Sequence, residues 1–369
     1  MKIERIEAIP LRMPLARPLK AATALVTQRC TVLTRVYTSD GIVGECFSNN
    51  EDQGQAEIVR LIHEELVPLL VGREAFHVEA CWQAMQPITR SIVRDRRLAV
   101  RAIACVDAAI WDAVGKALNA PLHRLWGGQG DDVAAIAMGG YYWPEDDLIK
   151  VAKEMESLRE QGLAGCKLKV GALTPEQDAE RVRAARDGAG PGFWLMADPN
   201  QGWSFDEALR FARLVRPYDI RWLEEPCHWQ NDRLDLARLR RTVDIPLCAG
   251  QSEIAKAGCR DLMAAGAIDI CNFDPSWGGG PTEWRKVAAL AESYGIGVMS
   301  HLEPQVGAAL AAGVPNGVCV ELMQPDRDPL YHTLLENRPP IRDGRMQLSE
   351  LPGWGLSLDE KLVEQLRSA

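Results

Sequence analysis

Residues 165–170 read Gly-Cys-Lys-Leu-Lys-Val, residues 193–200 Phe-Trp-Leu-Met-Ala-Asp-Pro-Asn and residues 220–226 Ile-Arg-Trp-Leu-Glu-Glu-Pro. Each is a short apolar run with charge at or near its end. Runs of this length bounded by polar residues suit buried strands rather than helices. The unit recurs at Val133–Tyr142, Gly165–Val170, Phe193–Asp198, Ile220–Glu224, Ile245–Ala249, Ile268–Phe273, Gly297–Ser300 and Val318–Leu322. Most of the segments between these runs read as helices. Thr174-Pro175-Glu176-Gln177 and Ser204-Phe205-Asp206-Glu207 are capping boxes, the first with Pro at the opening helical position. Ala179/Val182/Ala185 and Ala208/Phe211/Ala212/Val215 then follow at helical spacing. Eight buried strands alternating with helices suggest a closed parallel barrel. A doubly wound open sheet gives the same alternation.

Outward from this block the pattern changes. Ile3–Arg12 and Thr31–Tyr37 read as strands, and Asp40-Gly41 is a hairpin signal before Ile42–Phe47. Helical patterns follow at Gln55–Leu70, His77–Thr89 and Val100–Leu118. The first part is therefore an α+β domain over 1–128, the barrel runs over 129–335, and a segment 336–369 lies outside it. A second hairpin signal, Asp343-Gly344, falls in that last segment.

The 369 residues, 47% hydrophobic and 25% charged, supply a sizeable core and exclude wholesale disorder. Forty-two Lys+Arg against 51 Asp+Glu give a net charge of −9, which argues against binding nucleic acid. No apolar run approaches the roughly 18 residues of a membrane span, and Met1–Arg12 lacks the apolar core of a signal peptide. The 10 cysteines are scattered without a CxxC pair, many in apolar stretches such as Leu247-Cys248-Ala249. Free buried thiols of this kind suit a reducing, cytoplasmic location.

Catalytic groups of such barrels project from the C-terminal ends of the strands. Lys167 and Lys169, at i and i+2, share one face of an otherwise apolar strand, and two buried cations need an anionic partner. Asp198 with Asn200, and Glu224 with Glu225, end the next two strands. Helix capping accounts for Asp198 or Asn200 singly but not for the acid–acid–proline that follows. Hard oxygen donors converging from successive strands suit Mg²⁺. Asp274 and His301 end later strands, where the Asp can orient the ring and raise its basicity. Glu321 sits inside Val320-Glu321-Leu322, where burial favours a protonated, hydrogen-bond-donating acid.

Taken together, these residues resemble the mandelate racemase branch of the enolase superfamily over essentially the whole chain. The intervals agree as well: 31 residues from Lys167 to Asp198, 26 from Asp198 to Glu224, 27 from Asp274 to His301 and 20 from His301 to Glu321. The resemblance implies an α/β fold, a modified (β/α)7β TIM barrel lacking its eighth helix, with an N-terminal α+β capping domain completed by the C-terminal tail. It implies Mg²⁺ and a small carboxylate substrate, no nucleic-acid or membrane partner, and a homo-oligomer, dimeric or octameric. One position departs from the family pattern. Where a third metal carboxylate follows the glycine after the fifth strand, this chain has Gly250-Gln251-Ser252-Glu253. Gln251 is the expected ligand, because Ser252-Glu253-Ile254 looks like the opening of the next helix. Glu253 is the alternative, with Asn200 and Glu225 as further candidates.

The implied chemistry is abstraction of an α-proton from a carboxylate, through an ene-diolate stabilised by Mg²⁺ on Asp198, Glu224 and Gln251. Lys167 adds a cation beside the substrate carboxylate and is expected to depress the pKa of Lys169. Lys169 is one base, His301 held by Asp274 the other, and Glu321 a hydrogen-bond donor. Dehydration of a sugar acid to a 2-keto-3-deoxy acid is the reading favoured by the resemblance; racemisation or epimerisation is the alternative. A non-catalytic sugar-acid-binding relative is less consistent with five polar groups whose burial is costly. Lys20, Tyr141 and His228 are expected substrate contacts, and Asn49, Asn50, Glu51 and Asp52 a polar specificity loop.

Overall fold

The structure, a computed structural model, describes residues 1–51 and 54–367, the side chains of residues 49–51 excepted. Three antiparallel strands, β1 (Ile3–Lys20), β2 (Leu25–Thr38) and β3 (Val43–Glu51), form the N-terminal sheet in the order β1-β2-β3. Asp40-Gly41 lies in the second connection, with Gly41 at φ 78°. The first hairpin is longer than the sequence pattern suggests. β1 continues past Arg12, shifts register between Pro14 and Leu19, and pairs Lys20 with Leu25.

The apolar face of this sheet packs on the helix Arg96–Ala117, which Asp95 caps by accepting Arg97 N–H at 2.9 Å. That helix is buried along most of its length, and its two internal carboxylates have assigned partners. Asp107 accepts Thr282 N–H at 2.8 Å and the Thr282 hydroxyl at 2.7 Å. Asp112 accepts Glu45 N–H and Trp354 N–H, each at 2.8 Å. Both therefore tie elements distant in sequence, and Asp107 ties the cap to the barrel.

The barrel consists of β4 (Asp132–Gly139), β5 (Gly165–Lys169), β6 (Trp194–Asp198), β7 (Ile220–Glu224), β8 (Leu247–Ala249), β9 (Ile270–Cys271), β10 (Gly297–Ser300) and β11 (Gly317–Leu322). Each pairs in parallel with the next, and β11 closes on β4 through Val320↔Ala135, Glu321↔Ile136 and Leu322↔Ala137. The sheet is closed, not open and doubly wound. Both capping boxes are formed, at Thr174/Gln177 and Ser204/Glu207. After β11 the helix Pro329–Leu334 turns Leu330, Tyr331 and Leu334 against Ile9, Leu11 and Leu33 of the cap sheet, as a barrel short of its eighth helix requires.

The tail is shared between the two bodies. β12 (Ile341–Arg342) and β13 (Arg345–Gln347) form a hairpin whose two turn residues, Asp343 and Gly344, both have positive φ, at 49° and 77°. Such a two-residue turn matches the twist of its strands. β13 pairs antiparallel with the start of β4. Trp354 Nε1 then donates to Ala108 O at 2.8 Å, and the helix Glu360–Arg367 reaches the cap, where Arg367 bonds Glu7 at 2.9 Å. All ten cysteines are buried and free. Among the described residues no helix is long and apolar enough to cross a membrane.

Candidate active site

Strand pleat decides what stands at the barrel mouth, because residues i and i+2 share a face. Ala134, Ile136, Met196, Trp222, Cys248, Met299 and Cys319 form one apolar cluster inside the barrel. Two residues further along their strands come Asp198, Glu224, His301 and Glu321. Lys167 and Lys169 join them from β5.

These groups interlock. Lys167 Nζ donates to Glu224 Oε1 at 2.5 Å, lies 2.6 Å from Glu321 Oε1 in a charge contact not aligned as a hydrogen bond, and is 3.8 Å from Asp198 Oδ2. Lys169 Nζ donates to Asp198 Oδ2 at 2.6 Å. Asn200 bonds the same carboxylate through its backbone N–H at 2.8 Å and its side-chain amide at 3.1 Å. Glu224 Oε2 accepts Trp222 Nε1–H at 3.2 Å, and Glu321 Oε2 accepts Leu302 N–H at 3.1 Å. Three carboxylates face two ammonium groups, and both sides respond. Burial alone would neutralise Lys167, but Glu224, Glu321 and Asp198 outweigh it and hold the ammonium well above its usual range. Burial pushes the Glu224 carboxyl up to about 8; Lys167 resists this, while Asp198 and Glu321 add to it. Burial also raises Asp198, but Lys169 and Lys167 outweigh it and the net direction is down.

Lys169 departs from expectation. Burial pushes its ammonium down and Lys167 adds to that, yet Asp198 prevails and the net direction is up. A carboxylate at 2.6 Å outweighs burial and a like charge combined.

The segment after β8 also differs from its expected form. The helix begins at Lys256, so Ser252 and Glu253 belong to a turn and not to a first helical turn. Gln251 is 4% exposed, with its amide N–H₂ toward Glu225 Oε2 at 3.3 Å and its oxygen toward Asn272 Nδ2 at 3.5 Å. Both contacts are long, so the amide is lightly held. Glu253 is committed elsewhere: Arg233 bonds its carboxylate at 2.6 Å. Glu225 gathers a network that sequence reading missed. It accepts from Gln201 Nε2 and Ser252 Oγ, each at 2.8 Å, and from Ser252 N–H at 3.2 Å. Those partners come from different loops, and no spacing in the sequence announces them.

The dyad is formed. His301 Nδ1 lies 2.8 Å from Asp274 Oδ2, while Asp274 Oδ1 accepts Ser276 N–H and Oγ–H at 2.7 Å and Trp277 N–H at 3.0 Å. With Nδ1 committed to Asp274, Nε2 is the ring nitrogen left for chemistry. Trp277 packs on the imidazole with ring centroids 5.0 Å apart.

Lys169, His301, Asn200, Gln201, Glu225 and Gln251 line one cavity of about 380 Å³. The first hairpin of the cap contributes the facing wall, including Ala21, Thr23, Leu25, Val26 and Arg29. Thr23 Oγ1 bonds Asn200 O at 3.3 Å across the join. Of the three expected substrate contacts, Tyr141 lines this cavity, but Lys20 and His228 do not: both are exposed, and His228 Nδ1 accepts Gln230 N–H at 3.4 Å. Asp52 and the side chains of Asn49, Asn50 and Glu51 lie outside the described residues.

The donor set suits a hard divalent cation. Asp198 and Glu224 end neighbouring strands and both approach one positive charge, Lys167 Nζ, so cation density between them is already part of the design. Among the described residues no group of three or more His, Cys, Asp or Glu is gathered as a metal site. The strand ends therefore offer two carboxylates and a neutral amide, all oxygen donors of the kind Mg²⁺ takes.

Residues 5–127 match the N-terminal domain of the mandelate racemase / muconate lactonizing enzyme family, and residues 150–362 match the enolase C-terminal domain-like family. Arabinonate dehydratase of Saccharolobus solfataricus is 30% identical over 91% of this chain and 90% of its own length. A 3,6-anhydro-alpha-L-galactonate cycloisomerase of Streptomyces coelicolor is also 30% identical, over 99% of both chains. A crystal structure of a mandelate racemase/muconate lactonizing enzyme from a marine actinobacterium, in complex with magnesium, superposes with a TM-score of 0.92 at 44% identity, covering 99% of this chain and 98% of that one.

Proposed function

The chain belongs to the mandelate racemase / muconate lactonizing enzyme family, and on that premise we propose that it is a Mg²⁺-dependent enzyme that removes the α-proton of a sugar acid and expels its β-hydroxyl, giving a 2-keto-3-deoxy acid. The observation that carries this reading is the pair Lys169 and His301, two proton-transfer groups on well-separated strands that line one cavity beside Asp198. A single base would suffice for exchange alone. Two allow one to take the α-proton and the other to protonate the departing hydroxyl, which leaves as water.

Asp198, Glu224 and the amide oxygen of Gln251 would hold Mg²⁺. Bound there, the ion supplies Lewis acidity that favours negative charge on the substrate carboxylate. Lys167 adds a fixed ammonium beside the same charge, which Glu224 and Glu321 keep protonated. Asp274 fixes the His301 ring through Nδ1, so that Nε2 carries the proton to or from substrate. Glu321 helps to hold the Lys167 ammonium in place beside the developing oxyanion, and the cap hairpin excludes water. The dehydratase relative supports this outcome. The same two groups acting on one carbon give racemisation or epimerisation, and the cycloisomerase relative keeps isomerase chemistry in view.

Incubating a panel of sugar acids in D₂O with and without Mg²⁺, read by mass spectrometry and NMR, tests the proposal. Keto-acid formation that needs Mg²⁺ and vanishes in Lys169→Met supports dehydration. Deuterium exchange with inversion and no loss of water supports the isomerase reading. No exchange with any acid refutes both.

A further inference from the structure

Glu225 carries a charge that the chemistry above leaves unused. It follows Glu224 in the chain, is 5% exposed, and lines the cavity that holds Lys169 and His301. On an unbroken pleat it would face away from Glu224, toward the helices. Its φ of 34°, unfavourable for a residue with a Cβ, ends the pleat and leaves it on the cavity wall. Its partners set it apart from the neighbouring acids. Asp198, Glu224 and Glu321 each have a lysine ammonium beside them, and Glu253 has Arg233. Glu225 accepts from Gln201 Nε2 and Ser252 Oγ at 2.8 Å, from Ser252 N–H at 3.2 Å and from Gln251 Nε2 at 3.3 Å. All are neutral, and among the described residues no lysine, arginine or histidine pairs with it. A carboxylate this deeply buried calls for a cation.

Position 251 lacks a charge where Glu225 has one to spare. The side-chain nitrogen of Gln251 is the atom that touches Glu225. A carboxylate accepts and an amide N–H₂ donates, so this contact turns the amide oxygen away from Glu225. On its far side that oxygen meets Asn272 Nδ2 at 3.5 Å, the limit of a hydrogen bond, and keeps capacity for a cation.

We propose that Glu225 stands in for the carboxylate missing at position 251: its charge completes that of Asp198 and Glu224 toward Mg²⁺, and its contact with Gln251 fixes the amide with the oxygen free for the ion. This deepens the function proposed above and rests on its metal site, not on the identity of the substrate. Glu225 is a positioning residue and takes no part in proton transfer.

The test titrates metal into the full chain after chelation and without substrate, Mg²⁺ by calorimetry and Mn²⁺ by loss of the free-ion EPR signal. Glu225→Gln keeps the size of the side chain and removes its charge. It is expected to weaken both ions about 10- to 100-fold, the usual loss when a group supporting a metal ligand is removed. Combining Glu225→Gln with Gln251→Glu moves the charge to position 251 and is expected to recover most of that affinity, a rescue that a merely structural role would not give. Thermal melting without metal checks that each variant is folded. If the single variant does not fold, the exchanged pair decides: near wild-type affinity supports the proposal and lost affinity overturns it. Folded Glu225→Gln that binds both ions like the wild type overturns the proposal, as does an exchanged pair no tighter than Glu225→Gln. Either result leaves the proposed reaction standing. A wild type that binds neither ion overturns both.

Discussion

Two layers of side chains fill the barrel, equally withdrawn from water and held together by opposite means. The lower layer, from Ala134 and Ile136 through Met196, Trp222 and Cys319, is apolar and rests on shape. One pleat above it, Asp198 stands over Met196, Glu224 over Trp222 and Glu321 over Cys319, with Lys167 and Lys169 beside them. Losing atoms below leaves a hole. Losing a charge above leaves its partner unpaired in the same dry interior. Replacing a buried ion cluster with packed hydrocarbon is often neutral or stabilising, so the upper layer is poorly explained as a device for stability. It is better explained as positive and negative charge kept ready for a substrate.

The sharpest way to break this contrast is Lys169→Met. It is expected to lower α-proton exchange about 10³-fold, in the range lost with a general acid–base group, and to lower the melting temperature too, because Asp198 loses the cation at 2.6 Å; retained exchange would remove Lys169 from the chemistry. Lys167→Met strands Glu224 and Glu321 together, and chemical denaturation should register a loss of about 3–5 kcal/mol. In the lower layer, Met196→Ala is expected to cost about 2–5 kcal/mol of stability while Mg²⁺ affinity by calorimetry moves little. A collapse of Mg²⁺ binding there would mean that the layers are not separable.

Asp107 sharpens the comparison from a third position, a buried carboxylate served by hydroxyl and backbone. Burial pushes it up to about 7, against the bonds from Thr282. The folded protein then keeps a proton that the unfolded chain releases, so this group makes stability fall as pH rises from about 4 to 7. The slope is at most about 1.4 kcal/mol per pH unit. Denaturation at several pH values should show that component absent in Asp107→Asn. An identical slope in the variant would contradict the assignment.

What could be read from the sequence follows the pleat. Where the runs are strands, side-chain direction follows from a period of two. Lys167, Lys169, Asp198, Glu224 and Glu321 do converge, and Asp274 reaches His301. Loops carry no such period. Lys20 ends a strand that runs longer than its apolar pattern and points to solvent, and His228 turns outward at the start of a short helix. Glu253 finds Arg233, a partner 20 residues earlier on another helix. Arg29 falls before the strand read at Thr31–Tyr37, and only the longer β2 and its docking on the barrel bring it to the cavity wall.

The strand that opens the barrel is completed by residues added long after it, since Arg345 bonds Asp132 across 213 positions. A nascent chain emerging from the ribosome therefore gains its eighth barrel strand while the first is still bare along its lower edge. A chain stopped short of Arg345 would retain every group named in catalysis and expose an unpaired strand edge, a template for aggregation. The tail works as a latch, which closes only once the hairpin of residues 341–347 has followed the last barrel strand.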